Sequence, residues 1–107
     1  MKREVKNIVE HCEISEKEIE RYLVRECRRI VMPCLKYSNP FEAGYPDRLV
    51  VMPGGKVVWV ELKSKGQKPR RIQTERMESL RRLGHFAVIL DSKEGVDMLI
   101  YELEYAV

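Results

Sequence analysis

Val5, Ile8, Val9 and Cys12 recur at i, i+3, i+4 and i+7. That spacing predicts a short amphipathic packing helix near the start of the chain. Ser15 and Glu18 fit the S-x-x-E capping box, and Ile19, Leu23, Val24, Cys27, Ile30 and Val31 then trace one helical face. A second helix is therefore expected over 16–31, ended by Pro33, which has no N–H and clashes with a preceding turn. Residues 35–45 mix Pro, Asn, Ser and Gly with aromatics and read as a short strand followed by a loop. The pattern then changes period. Segments 48–52 and 56–63 are rich in Val and flank Pro53-Gly54-Gly55, which predicts a hairpin in the centre of a sheet. Pro69 as first helical residue and Gly84 just past the end bracket a third helix over 70–83, its apolar face Ile72, Met77, Leu80 and Leu83. The run from His85 to Leu90 reads as a buried strand. Val96, Leu99, Ile100 and Leu103 return to helical spacing behind Ser92 as cap.

This order of helices and strands predicts an α/β fold, and its hairpin has chemical consequences. Alternate residues of a strand share a face, so Glu61 and Lys63 project together with Val57 and Trp59. If the loop is Pro53, Gly54 and Gly55, counting back along both strands opposes Asp47 to Glu61. Directly opposed residues have Cβ atoms about 4.5–5.5 Å apart, near enough for two carboxylates to share one divalent cation. A loop shorter or longer by one residue would break the pairing. Without a cation the two would repel, and one would tend to keep its proton. Mg²⁺ or Mn²⁺ beside Lys63 is the set of groups that hydrolyses phosphodiesters. An exposed Glu61–Lys63 surface pair is the bland alternative, and it fits poorly with the apolar Leu49, Val51, Val57 and Trp59 on the same face.

Three more polar residues sit where apolar ones belong. Glu16 and Glu20 fall within the apolar stripe of the second helix, and Gln73 within that of the third. Each either reaches water at an edge or needs a partner inside. Composition adds one fact. Bases exceed acids only by 20 to 17, but Lys63 to Arg71 holds five bases and no acid. That run is either a solvated loop or a phosphate grip made by Lys65, Lys68, Arg70 and Arg71. Cys12, Cys27 and Cys34 are odd in number and have no CxxC spacing, so they read as reduced thiols. His11 and His85 show no ligand spacing, and no serine-nucleophile or phosphate-loop motif is present. No apolar run approaches the ~18 residues of a membrane span. At 107 residues the expectation is one domain over 1–107, cytoplasmic, with no membrane and no organic cofactor.

Gly44-Tyr45-Pro46-Asp47, thirteen intervening residues, Glu61-Leu62-Lys63, and Gln73 ten further on together resemble the VRR-NUC branch of the PD-(D/E)xK nuclease superfamily. The helix from Ser15 to Val24 is similar to that branch's opening helix, so the resemblance runs from about residue 15 to 104. It implies a restriction-endonuclease-like core, a mixed central sheet flanked by helices. Asp47 and Glu61 would be metal ligands, with the Leu62 carbonyl a possible third. Lys63 would position or activate water, Gln73 would lie near the centre, and Glu16 would be the first-helix acid, directly or through water, with Glu20 the second choice. One departure is the turn after the first long helix, often glycine-rich in the family and here Ile30-Val31-Met32-Pro33-Cys34. The implied activity is Mg²⁺- or Mn²⁺-dependent cutting of branched DNA, four-way junctions foremost, by a homodimer. A non-cleaving DNA-binding module, or a nuclease with another nucleic-acid substrate, are the alternatives.

Overall fold

The structure is a computed structural model and describes residues 14–105. The helix expected around Val5 to Cys12, and with it His11, lies outside the described residues. Helix α1 spans Glu16–Arg29, with the Ser15 hydroxyl accepting the Glu18 N–H at 3.2 Å, the N-cap half of the expected capping box. It ends earlier than its apolar stripe suggests. Ile30 is the C-cap, and Val31 turns out with φ +60 and 86% exposure. The chain then enters strand β1 (Cys34–Lys36), crosses a loop to β2 (Arg48–Val51), and turns through a single 3₁₀ turn at Pro53–Gly55 into β3 (Val57–Leu62). Helix α2 (Arg71–Arg82) carries it over to β4 (Phe86–Leu90), and α3 (Lys93–Tyr105) closes the fold.

The four strands lie in chain order, β1-β2-β3 antiparallel and β3-β4 parallel, so the sheet is mixed and the hairpin is central, as expected. Arg48 opposes Val60 and Val51 opposes Val57, and the Met52 N–H closes the turn on the Lys56 carbonyl at 2.9 Å. This is the register of a three-residue loop. Val50, Val58, Val60, Leu62 and Leu90 face α1 and α3 and form the main core with Ile19, Leu23, Cys27, Val96, Leu99, Ile100 and Leu103. On the opposite face Trp59, Glu61 and Ala87 lie under α2, whose Gln73, Met77 and Leu80 are buried.

Two expectations need correcting. Helix α2 starts at Arg71 behind Arg70 as N-cap, so Pro69 stands outside it, and Leu83, the C-cap, is 76% exposed rather than part of the apolar face. Strand β4 is only half-buried, with Ala87 and Leu90 inside and Phe86 and Ile89 exposed, because it is the last strand and has a neighbour on one side only. Its outer edge is blunted. The Lys63 N–H bonds the Leu90 carbonyl inward, so the Ala87 carbonyl points outward, and the Arg81 guanidinium donates to it at 3.1 and 2.6 Å. On β1, Arg48 likewise donates to the Cys34 carbonyl at 3.2 Å. No helix among the described residues is long and apolar enough to cross a membrane.

Candidate metal and phosphate centre

The site grows out of the point where β2 and β3 part. Continuing the register past Arg48 and Val60 opposes Asp47 to Glu61 and Pro46 to Leu62. Met52 and Lys56 form a hydrogen-bonded pair, and such pairs recur at every second position, so Leu62 and Pro46 fall at another. Proline has no N–H to give. Pro46, itself buried, therefore leaves the Leu62 carbonyl without its ladder donor, while the Leu62 N–H is taken by Oδ2 of Asp47 at 3.2 Å. Pro46-Asp47 thus frees a main-chain oxygen and fixes a carboxylate beside it.

Glu61 is 2% exposed. Its Oε2 accepts from Gln73 Nε2 at 3.3 Å, and its buried Oε1 accepts from no N–H or hydroxyl group among the described residues. Burial pushes its pKa up to about 8, and the charge and hydrogen bonding of the facing Asp47 push the same way. Glu16 adds to the rise and the Lys63 ammonium opposes it, which locates both groups within electrostatic reach of the carboxyl. Gln73 lies in the first turn of α2, where its Oε1 accepts the Arg70 N–H at 2.7 Å. One side chain therefore caps its own helix and holds Glu61, which explains a buried amide in an apolar stripe.

Glu20 goes elsewhere. Its Oε2 pairs with Arg48 Nε at 3.0 Å, both side chains being mostly buried. The sequence shows an acid in want of a partner; it does not show that Arg48, on the core face of β2, would supply one. Lys65, Lys68 and Arg70 are exposed on the segment that joins β3 to α2, and Arg71, exposed as the first residue of α2, pairs with Glu75 at 3.1 Å on the open surface. A group that sequence reasoning missed flanks the centre. Tyr37, Tyr45, Trp59 and His85 cluster with neighbouring ring centroids 5.2–6.2 Å apart, edge to face except for the tilted Tyr45–Trp59 pair, and the Arg76 guanidinium lies 4.9 Å from the Tyr45 ring. Tyr45 stands within the Gly44-Tyr45-Pro46-Asp47 segment and Trp59 lies two residues before Glu61 on the same strand face, the one available signal for the cluster.

Among the described residues no three or more His, Cys, Asp or Glu converge on one point. The donors are instead two carboxylates and a main-chain oxygen, an all-oxygen set that suits a hard cation able to keep waters in its remaining positions. An unpartnered buried carboxylate oxygen is costly unless something positive occupies it. By that test the residues fit a divalent metal.

Comparison with known proteins places the chain. No protein-family model matches it. It is 42% identical over 81 residues to "Putative nuclease p44" of Acyrthosiphon pisum secondary endosymbiont phage 1, a match covering 76% of this chain and 87% of that protein. A solved structure titled "VRR_NUC domain" superposes with TM-score 0.75 at 29% identity, over 80% of this chain and 94% of that one. A second, "VRR_NUC domain protein", superposes with TM-score 0.68 over 89% and 92%, at 20% identity a likeness of fold. A nuclease relative matched along most of its length, together with a shared mixed-sheet architecture, identifies the chain as a member of the VRR-NUC family of the PD-(D/E)xK nuclease superfamily.

Proposed function

We propose that this VRR-NUC nuclease is a Mg²⁺- or Mn²⁺-dependent endodeoxyribonuclease that cuts branched DNA, four-way junctions foremost, as a homodimer. The observation that carries the metal requirement is Glu61 Oε1, buried beside the Asp47 carboxyl and accepting from no N–H or hydroxyl group among the described residues. Asp47 and Glu61 would hold the ion, with the Leu62 carbonyl as third ligand and Glu16 acting directly or through water. When bound, such an ion supplies Lewis-acid charge to the scissile phosphate and acidifies water. Lys63 donates to the attacking water and keeps a fixed positive charge beside the phosphate. Gln73 holds the Glu61 carboxylate in one orientation. Lys65, Lys68, Arg70 and Arg71 grip neighbouring phosphates along the strand. The basic segment begins at Lys63 itself, so grip and centre are continuous in the chain.

The junction and dimer reading extends the resemblance stated from the sequence, and with it we propose a single domain over 1–107 acting in the cytoplasm of a bacterial or virus-infected cell, the curated relative being a phage protein. A two-fold dimer presents two centres to a two-fold junction. The test is cleavage of labelled four-way junction and matched linear duplex with Mg²⁺, Mn²⁺ or EDTA, by wild type and Lys63→Ala. Metal-dependent cutting of the junction, lowered at least 100-fold in Lys63→Ala, supports the reading. Junction binding with no cutting in any metal would establish a binding module instead.

A further inference from the structure

The loop between β1 and β2, residues 37–47, is tied down at many points yet leaves one large apolar side chain in solvent. Phe41 is 93% exposed. Asn39 Oδ1 accepts the N–H groups of both Phe41 (3.0 Å) and Glu42 (3.1 Å), a side-chain-built turn. Two residues on, the Ala43 carbonyl accepts from Arg76 Nε at 3.0 Å. Gly44 has φ +95, and a Cβ there would meet Ile72 Cγ1 at 2.7 Å, so the loop lies directly against α2. Beyond it Tyr45 joins the aromatic cluster and Pro46 is buried. Ile72 and Arg76, which clamp the loop, bracket Gln73, the residue that holds Glu61.

We infer that Phe41 is a stacking wedge that reads distorted or unpaired bases at the branch point while the Asp47–Glu61 centre engages the backbone. The inference rests on the DNA reading above and adds a specificity residue to it. Asp47 lies six positions after Phe41, a reach of at most about 21 Å. Bases stack about 3.4 Å apart along one strand, so the ring falls within about six nucleotides of the cut. An aromatic ring on a preorganised loop loses little freedom when a base stacks on it, and a single ring suffices to wedge one base step. A protein contact needs far more. A stable interface buries about 800 Å² per partner, a Phe contributes about 150–250 Å², and Asn39, Pro40, Glu42 and Ala43 add no other large apolar side chain. A perfectly stacked linear duplex offers the ring no opening, whereas a branch does.

The experiment uses the full chain with Ca²⁺ in place of Mg²⁺, a four-way junction carrying 2-aminopurine at the branch, and a matched duplex. Wild type, Phe41→Ala and Phe41→Trp are compared, thermal melting being measured for each. Wild-type binding is expected to change the 2-aminopurine fluorescence. Phe41→Ala abolishes that change and lowers the ratio of junction to duplex affinity about tenfold or more, and Phe41→Trp restores both. An unchanged ratio and an unchanged fluorescence response in Phe41→Ala would overturn the inference. So would a shift of the DNA-free protein from dimer to monomer in sedimentation, which would assign Phe41 to a contact between protein chains. The cutting assay with Lys63→Ala judges the nuclease reading separately.

Discussion

Gln73 Nε2 donates to Glu61 Oε2 at 3.3 Å, while Gln73 Oε1 accepts from the Arg70 backbone. The amide is thereby fixed in orientation, and the carboxylate it holds has one satisfied and one free oxygen. Gln73→Ala should lower the cutting rate about 10-fold to 100-fold by loosening Glu61. It also removes the capping acceptor of α2, so a melting temperature lower by several degrees is expected. Gln73→Glu keeps the capping oxygen but adds a negative charge. It should lose activity at neutral pH and recover part of it at lower pH, as a pH–rate profile would show.

Glu61 sets the pH dependence of the metal-free protein. Its carboxyl is raised to about 8 in the fold, against 4.5 for the ordinary group. Between those values the folded state binds the extra proton, so stability falls as pH rises and is flat outside the window. Melting temperature without metal should therefore drop by several degrees from pH 5 to 8, and Glu61→Gln should abolish that slope while eliminating cutting. Metal must displace the proton, so Mg²⁺ affinity should rise about tenfold per pH unit below pH 8. Titration calorimetry in two buffers of different ionisation enthalpy measures the proton released. A pH-independent affinity would contradict the assignment.

Glu16 and Glu20 separate by what each touches. Glu20 pairs with Arg48, a mostly buried ion pair, so Glu20→Ala should leave Arg48 uncompensated and cost about 1–3 kcal/mol in chemical denaturation. Its metal affinity should stay within a few-fold of wild type. Glu16 is exposed and acts on Glu61 by charge. Glu16→Ala should keep its stability and lose metal affinity or cutting rate. The reverse pattern would exchange the two assignments.

The basic segment should reveal itself through salt. Each Lys or Arg that neutralises a phosphate contributes about one unit to the slope of log affinity against log salt. Neutralising Lys65 and Lys68 together should flatten that slope by about two and weaken duplex and junction binding alike, without changing the pH profile. A slope left unchanged would return Lys65 and Lys68 to the role of solvated loop residues.

The parts of the site legible in the sequence were those fixed by local rules. Strand periodicity and the length of one turn suffice to oppose Asp47 to Glu61, and the observed register is the one a Pro-Gly-Gly loop requires. Gln73 announced itself as a polar residue in an apolar stripe. What was not legible depends on distant segments. Arg48 meets Glu20 only because α1 crosses β2, and Tyr37, Tyr45, Trp59 and Arg76 meet only because the loop folds back on α2. The exposure of Phe86 and Ile89 follows from the position of β4 at the end of the sheet, which an apolar run does not encode.

The turn after α1 holds a strain that sequence alone does not disclose. Val31 sits at φ +60, in the left-handed region, with 86% of its surface in solvent. A β-branched residue there is held against its preference, at a cost of about 1–2 kcal/mol. The conformation persists because its neighbours are fixed: the Val31 N–H bonds the Arg28 carbonyl at 3.1 Å and the Met32 N–H bonds the Cys27 carbonyl at 3.0 Å, ending the helix on both sides of Val31. Glycine meets no such penalty, and its greater freedom in the unfolded chain offsets only part of the gain. Val31→Gly should therefore raise the melting temperature by a few degrees, and Val31→Asn by less. Neither variant should alter metal affinity, because Val31 lies at the far end of α1 from Glu16. A fall in melting temperature for Val31→Gly would mean that the valine side chain contributes packing that outweighs the backbone strain.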